Sequence, residues 1–101
     1  MGIGLTNSLD VVSVTINPAS VSANTTSEQT FTVPGVKVGD CVQVSKPSHT
    51  AGLVVSSARV SAVNTVAITF GNLTGSPIDA PSEAYLFQVV RPERVKTSFA
   101  V

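Results

Sequence analysis

Few side chains in this sequence are equipped for chemistry. There is one histidine, His49, one cysteine, Cys41, and no tryptophan. Nucleophilic catalysis needs a nucleophile, a base and a group that orients the base, all within hydrogen-bond reach. His49 lies in "KPSHTAG", which has the composition of an exposed loop. Cys41 precedes Val42 and Val44, and strand alternation places its thiol on the opposite face from them. No spacing ties the two together, so they read as a loop histidine and a structural thiol, and the chain as no enzyme. One His and one Cys also fall short of the four ligands of a structural zinc site. The acids Asp40, Asp79 and Glu83 lack EF-hand spacing. Asp40 reads as stabilising a Gly-Asp turn and Asp79 as capping a Pro-containing loop. Neither a metal nor a cofactor is expected.

Two triplets, Asn24-Thr25-Thr26 and Asn72-Leu73-Thr74, match the glycan acceptor pattern. Such triplets arise by chance in a chain rich in threonine and serine. The N-terminus "MGIGLTNSLD" also lacks the basic start and long apolar core of a secretory leader. Asn72 reads instead as a turn residue that tolerates the left-handed conformation beside Gly71 and Gly75. The same N-terminus fits the loose myristoylation pattern through Gly2 and Thr6, which a Gly-containing arm explains equally well.

The chain's 101 residues make one domain. Apolar residues form 43 % and charged residues 12 %, against roughly 25 % charged in an ordinary globular domain. Six basic side chains balance six acidic ones. Nucleic acid and anionic membranes are bound through dense positive charge, which this chain lacks. No run approaches the ~18 apolar residues of a membrane span. A single cysteine forms no internal disulfide, so no oxidising compartment is implied. Near-zero net charge favours association, which suits a subunit of something larger.

The elements that position these residues are strands. Val12, Val14 and Ile16 alternate with Val11, Ser13 and Thr15; Phe31 and Val33, Val42 and Val44, and Val66, Ile68 and Phe70 repeat the pattern. Period two with β-branched residues marks half-buried strands, and no segment shows a capped 3.6-residue period. Turn signals separate the runs: "NPAS", "VPGVKVGD", "KPSHTAG", "GNLTGSP" and "DAPSE", with Gly35, Gly39, Gly52, Gly71 and Gly75 offering positive φ. The expectation is an all-β domain of seven or eight strands, a β-sandwich or jelly roll with Greek-key connections, over residues 11–91. Residues 1–10 and 92–101 are expected to be flexible N- and C-terminal arms.

The segment from about Pro34 to Arg91 resembles small β-domains of tailed-bacteriophage structural proteins. The resemblance rests on "VPGVKVGDCVQV", then "GLVVSSARVSAVNTVAITFGNLTGSPID", then "AYLFQVVRP". A Gly-Val-x-x-Gly-Asp turn leads into a strand, an "NTVAITF" strand meets an "N-x-T-G" turn, and a "Y-x-F-x-V-x-R"-like strand closes the sheet. The resemblance implies a capsid decoration (cement) protein located on the virion capsid surface. Its implied partners are the major capsid protein and itself, as a homotrimer. It brings no catalytic residue. Read as a whole protein from Met1, the length leaves no room for a fibre shaft, which favours decoration. The alternative is a tail-fibre, spike or baseplate-associated module binding a receptor or glycan. Such modules stack sugars on Trp or Tyr, whereas this chain has only Tyr85. An Ig-like adhesin domain is disfavoured by the missing leader.

The arms carry apolar residues outside the strand pattern. Ile3, Leu5 and Leu9 at one end, and Arg94, Val95 and Phe99 at the other, are the expected partner-contact residues. Arms that order on binding cover much surface, and several weak contacts from one oligomer supply avidity.

Overall fold

The computed structural model describes residues 8–93, 95 and 97. Six strands form among them: β1 (Ser8–Ile16), β2 (Thr25–Thr32), β3 (Cys41–Ser45), β4 (Leu53–Ala62), β5 (Thr65–Asn72) and β6 (Glu83–Arg91). The described residues contain no helix. Among the described residues the expected seven or eight strands are six. The segments 33–40 and 73–82, rich in Gly and Pro, become connections joined to the sheets by turns and by one isolated bridge, Val21 to Ile78.

The strands make two three-stranded antiparallel sheets, ordered β1-β6-β3 and β2-β5-β4. Both contribute to one core, an arrangement compatible with a β-sandwich. From the first sheet come Ile16, Tyr85, Phe87 and Val89, and from the second Leu53, Val66, Ile68 and Phe70. Every alternating set read from the sequence points into this core: Val12 and Val14 pack against it, as do Phe31, Val42 and Val44. Phe31 meets Phe70 edge-on at 6.4 Å between ring centres, a favoured aromatic geometry.

Strand β4 shows why its sequence does not alternate cleanly. Leu53 and Val55 face the core, and so do Ala58 and Val60. The parity changes because the register shifts between Val55 and Ser57. A bulge adds one residue and re-aims the side chains that follow it.

Strand β5 is central and buried on both faces. Outward-facing Ala67 is only 1 % exposed. Its cross-strand neighbour Arg59 reaches over the strand to bind Glu28 with both Nε and a terminal nitrogen, at 3.0 and 2.9 Å. This pair holds the Glu28 carboxyl below its usual range through Arg59's hydrogen bonds. At Gly71, also outward on β5, a Cβ would come within 2.9 Å of Val54 Cγ2, so no larger residue fits without a shift.

β1 begins at Ser8, inside the stretch expected to be an arm, so Leu9 is a strand residue facing Val90 of β6. Positive φ occurs at Gly35, Gly39 and Gly52, and at Asn24 and Asn64. Gly71 and Gly75 do not adopt it, and neither does Asn72.

Candidate functional site

Besides the Arg59–Glu28 pair on the outer face of the second sheet, polar side chains gather into three clusters, each at a connection between strands. The first is built around Asn72, the last residue of β5 and only 2 % exposed. Its amide nitrogen donates to the carbonyls of Val21 (3.0 Å) and Ser76 (2.8 Å). Its carbonyl oxygen accepts from the Thr74 N–H and the Thr74 hydroxyl, both at 2.8 Å. Asn72 is a turn residue as expected, but it does not use its tolerance of the left-handed conformation; its side chain closes the turn itself. Short amides favour this local bonding, which mimics a backbone turn. The buried amide nitrogen of the supposed glycan acceptor is occupied by two carbonyls. The other triplet begins at Asn24, which is exposed, has φ of 53° and donates its backbone N–H to Thr74 O.

The second cluster joins two segments far apart in sequence. Arg91, ending β6, donates to Asp40 from Nε (3.0 Å) and from a terminal nitrogen (2.8 Å), and that same nitrogen binds Gly35 O. Asp40 also accepts the Lys37 N–H at 2.9 Å, while its own N–H donates to Lys37 O. The expected Gly-Asp turn is present, and Arg91 braces it from the closing strand. The Asp40 side chain is 4 % exposed and that of Arg91 39 %. The Arg91 hydrogen bonds, followed by that of Lys37, depress the Asp40 carboxyl to about 2. Bidentate pairing of this kind fixes geometry as well as charge.

The third cluster comes nearest to a catalytic arrangement. Lys46 Nζ lies 2.8 Å from Glu83 and also donates to Ser48 O, to Ser48 Oγ (3.3 Å) and to Thr50 Oγ1. Ser48 Oγ in turn donates to Glu83 at 3.0 Å. A Ser-Lys pair works as nucleophile and base only when the amine offers a lone pair to the hydroxyl. Here the nitrogen is the donor in every contact, and the serine proton is directed at the carboxylate. The cluster pins the 46–50 loop to the start of β6. Hydrogen bonds from Lys46 and then Ser48 hold the Glu83 carboxyl below its usual range.

These pairings separate the acids that could have met. Asp40 belongs to Arg91 and Glu83 to Lys46. Among the described residues no three metal-ligating side chains come together. Cys41 is a free, exposed thiol opening β3, and exposed His49 follows that strand's far end. A cavity of about 40 Å³, lined by Asp10, Gly35, Val36 and Arg91 among others, is of water size.

Tyr85 is fully buried, and its hydroxyl has no hydrogen-bond partner among the described residues. Burial, with Glu83 adding to it, pushes the phenol up to about 12. An unmet buried hydroxyl is destabilising. Tyr85→Phe is therefore expected to raise stability by about 1 kcal/mol in chemical denaturation.

Of the expected partner-contact residues, Ile3, Leu5, Arg94 and Phe99 lie outside the described residues. Leu9 is 56 % exposed on the outer face of β1, and Val95 is exposed. Sequence reading missed the surface to which Leu9 belongs. By the pairing register, the outer rows of the β1-β6-β3 sheet are Leu9–Val90–Cys41, Val11–Gln88–Gln43 and Ser13–Leu86–Ser45, with Thr15–Ala84 beyond. None of these residues is charged, and Leu9, Val11 and Leu86 are exposed apolar side chains. The signal was available, since β1 and β6 carry apolar residues at both parities. The second sheet differs, bearing Glu28 and Arg59 on its outer face.

Comparison with protein-family models, with curated proteins and with solved structures finds no match to this chain.

Proposed function

We propose that this chain is a structural subunit of a tailed-bacteriophage virion, a decoration or cement protein that binds the assembled capsid shell and stabilises it. Its partners in this reading are the major capsid protein and other copies of itself. The observation that carries it is the uncharged, partly apolar outer face of the β1-β6-β3 sheet, in a chain where the clusters around Asn72, Asp40 and Lys46 brace turns. An extended surface free of charge favours contact with another protein over a solvated small-molecule site. The Asp40–Arg91 pair adds support, because it joins the Gly-Val-x-x-Gly-Asp turn to the closing "Y-x-F-x-V-x-R"-like strand, two parts of the pattern on which the resemblance rests. We further propose a jelly-roll-like fold. Every connection except the β4–β5 hairpin passes from one sheet to the other, as Greek-key links do.

Cement binds the assembled shell and not its dispersed subunits, so occupancy stabilises the shell by mass action. Incubation with undecorated phage shells and sedimentation are expected to give saturable binding to shells and none to dissociated capsid subunits. Removing residues 1–7 and 94–101 is expected to weaken that binding, whereas equal occupancy after truncation excludes the arms from the contact. The tip-module alternative gains nothing from Tyr85, which is buried and offers no face to a sugar. Binding on a glycan panel without shell binding would favour that alternative.

A further inference from the structure

The four sheet edges are unequal. β3 is five residues long and lies beside β4, which is broken by register shifts at Val55/Ser57 and Val60/Ala62. β2 has charged Glu28, and its Gln29 clamps both polar groups of the Ala19 backbone, at 2.8 and 2.9 Å. Short length, bulges and charge all blunt an edge. β1 has none of the first two. It runs nine residues in unbroken register with β6, contains no proline, and carries one charge, Asp10. Among the described residues, its backbone makes no hydrogen bond beyond those to β6.

We propose that β1 is a homophilic edge, pairing antiparallel with β1 of a second copy about a two-fold axis at Val12. Three features of the strand select this partner and register. Core-facing residues occupy the even positions, Val12, Val14 and Ile16. A continuous sheet needs even positions opposite even ones, because a one-residue slip would turn the core face outward. The register with residue numbers summing to 24 meets this requirement and overlaps all nine residues. It also sets Asp10 opposite Val14, leaving the two carboxylates four residues apart, roughly 14 Å along the strand. A parallel, in-register pairing would instead place them one strand spacing apart, about 4.8 Å. On the outer face Leu9 then lies opposite Thr15 and Val11 opposite Ser13, so the uncharged surfaces of the two copies become continuous. A self-complementary patch repeated about a two-fold is the commonest closed homo-oligomer.

The inference stands apart from the virion reading, and its stoichiometry differs from the trimer that the resemblance implies. The test is light scattering on the full chain across a concentration series, with two variants. Wild type is expected to approach twice the 10.4 kDa chain mass. Val11→Lys, at a position 64 % exposed, is expected to weaken self-association on the order of ten-fold or more while leaving the circular dichroism unchanged. With Cys41→Ser in place, Leu9→Cys/Thr15→Cys is expected to oxidise to a covalent dimer, because directly opposed residues lie within disulfide reach. Leu9→Cys/Ser13→Cys, which fits a register displaced by two, is expected not to. A monomer at every concentration, a three-fold mass, or a dimer that survives Val11→Lys and is not locked by the 9/15 pair would each overturn the proposal.

Discussion

Asn72→Ala is expected to lose about 3 kcal/mol of folding stability, on the order of 15 °C in Tm for a domain this size. The side chain is buried, and its four hydrogen bonds tie two parts of the chain: one to Val21 before β2, and three to Thr74 and Ser76 in the turn. Truncation leaves the Thr74 N–H without its acceptor and strips one donor each from Val21 O, which keeps the Ile78 N–H, and Ser76 O, which keeps the Thr74 hydroxyl, and unmet buried groups cost more than made bonds contribute. Asn72→Asp separates the bonding from the packing. It keeps the shape but turns a carboxylate oxygen toward the Val21 and Ser76 carbonyls, so at neutral pH it is expected to destabilise at least as much as alanine. Partial recovery on acidification would follow, because protonation restores one donor. Thermal unfolding at pH 7 and pH 4 measures both effects. A loss below about 0.5 kcal/mol for Asn72→Ala, the ordinary range for a surface substitution, would remove the brace from the account.

Asp40→Ala is expected to cost about 2 kcal/mol, since it deletes a carboxylate acceptor for three hydrogen bonds, two of them from a guanidinium. The pH dependence has a definite sign. The folded-state carboxyl lies at about 2, below its ordinary 3.8. The pair's contribution is thus fully present above about pH 4 and lost as pH falls through 2. Glu28 and Glu83, also depressed, add losses of the same sign. Wild type should show a steep acid-side fall in stability that is shallower in Asp40→Ala. Arg91→Lys is expected to recover little, because an ammonium cannot reproduce the fork that reaches both Asp40 oxygens and Gly35 O. Equal acid slopes in wild type and Asp40→Ala would contradict the assignment.

These clusters mark where sequence reading stopped. Alternation in β1, β3 and β5 was legible because a half-buried strand repeats every two residues, and those residues now form the core. β4 was harder, since its bulge reverses the parity between Val55 and Ala58. Pairing was not legible, because period two says which face a residue takes and nothing about which strand lies beside it. Arg91 and Asp40 are 51 residues apart, and Arg59 and Glu28 are 31 apart. Each sequence neighbourhood gave a charge without its partner. Asn72 looked like a backbone-conformation residue because Gly71 and Gly75 flank it, yet its side chain carries the turn. Gly71 is needed for space beside Val54 and not for φ. Apolar residues at both parities of β1 and β6 signalled a second apolar face, and register shows that Leu9, Val11, Leu86 and Val90 share it.

The three clusters brace turns, and the function proposed here assigns binding to surfaces away from them. The most direct measurement is the temperature at which phage shells open, followed by light scattering with and without saturating amounts of this chain. The opening temperature is expected to rise with the concentration of the chain and then level off as sites fill, as when a ligand binds only the assembled state. Shells that open at the same temperature at every concentration, despite co-sedimenting chain, would contradict it.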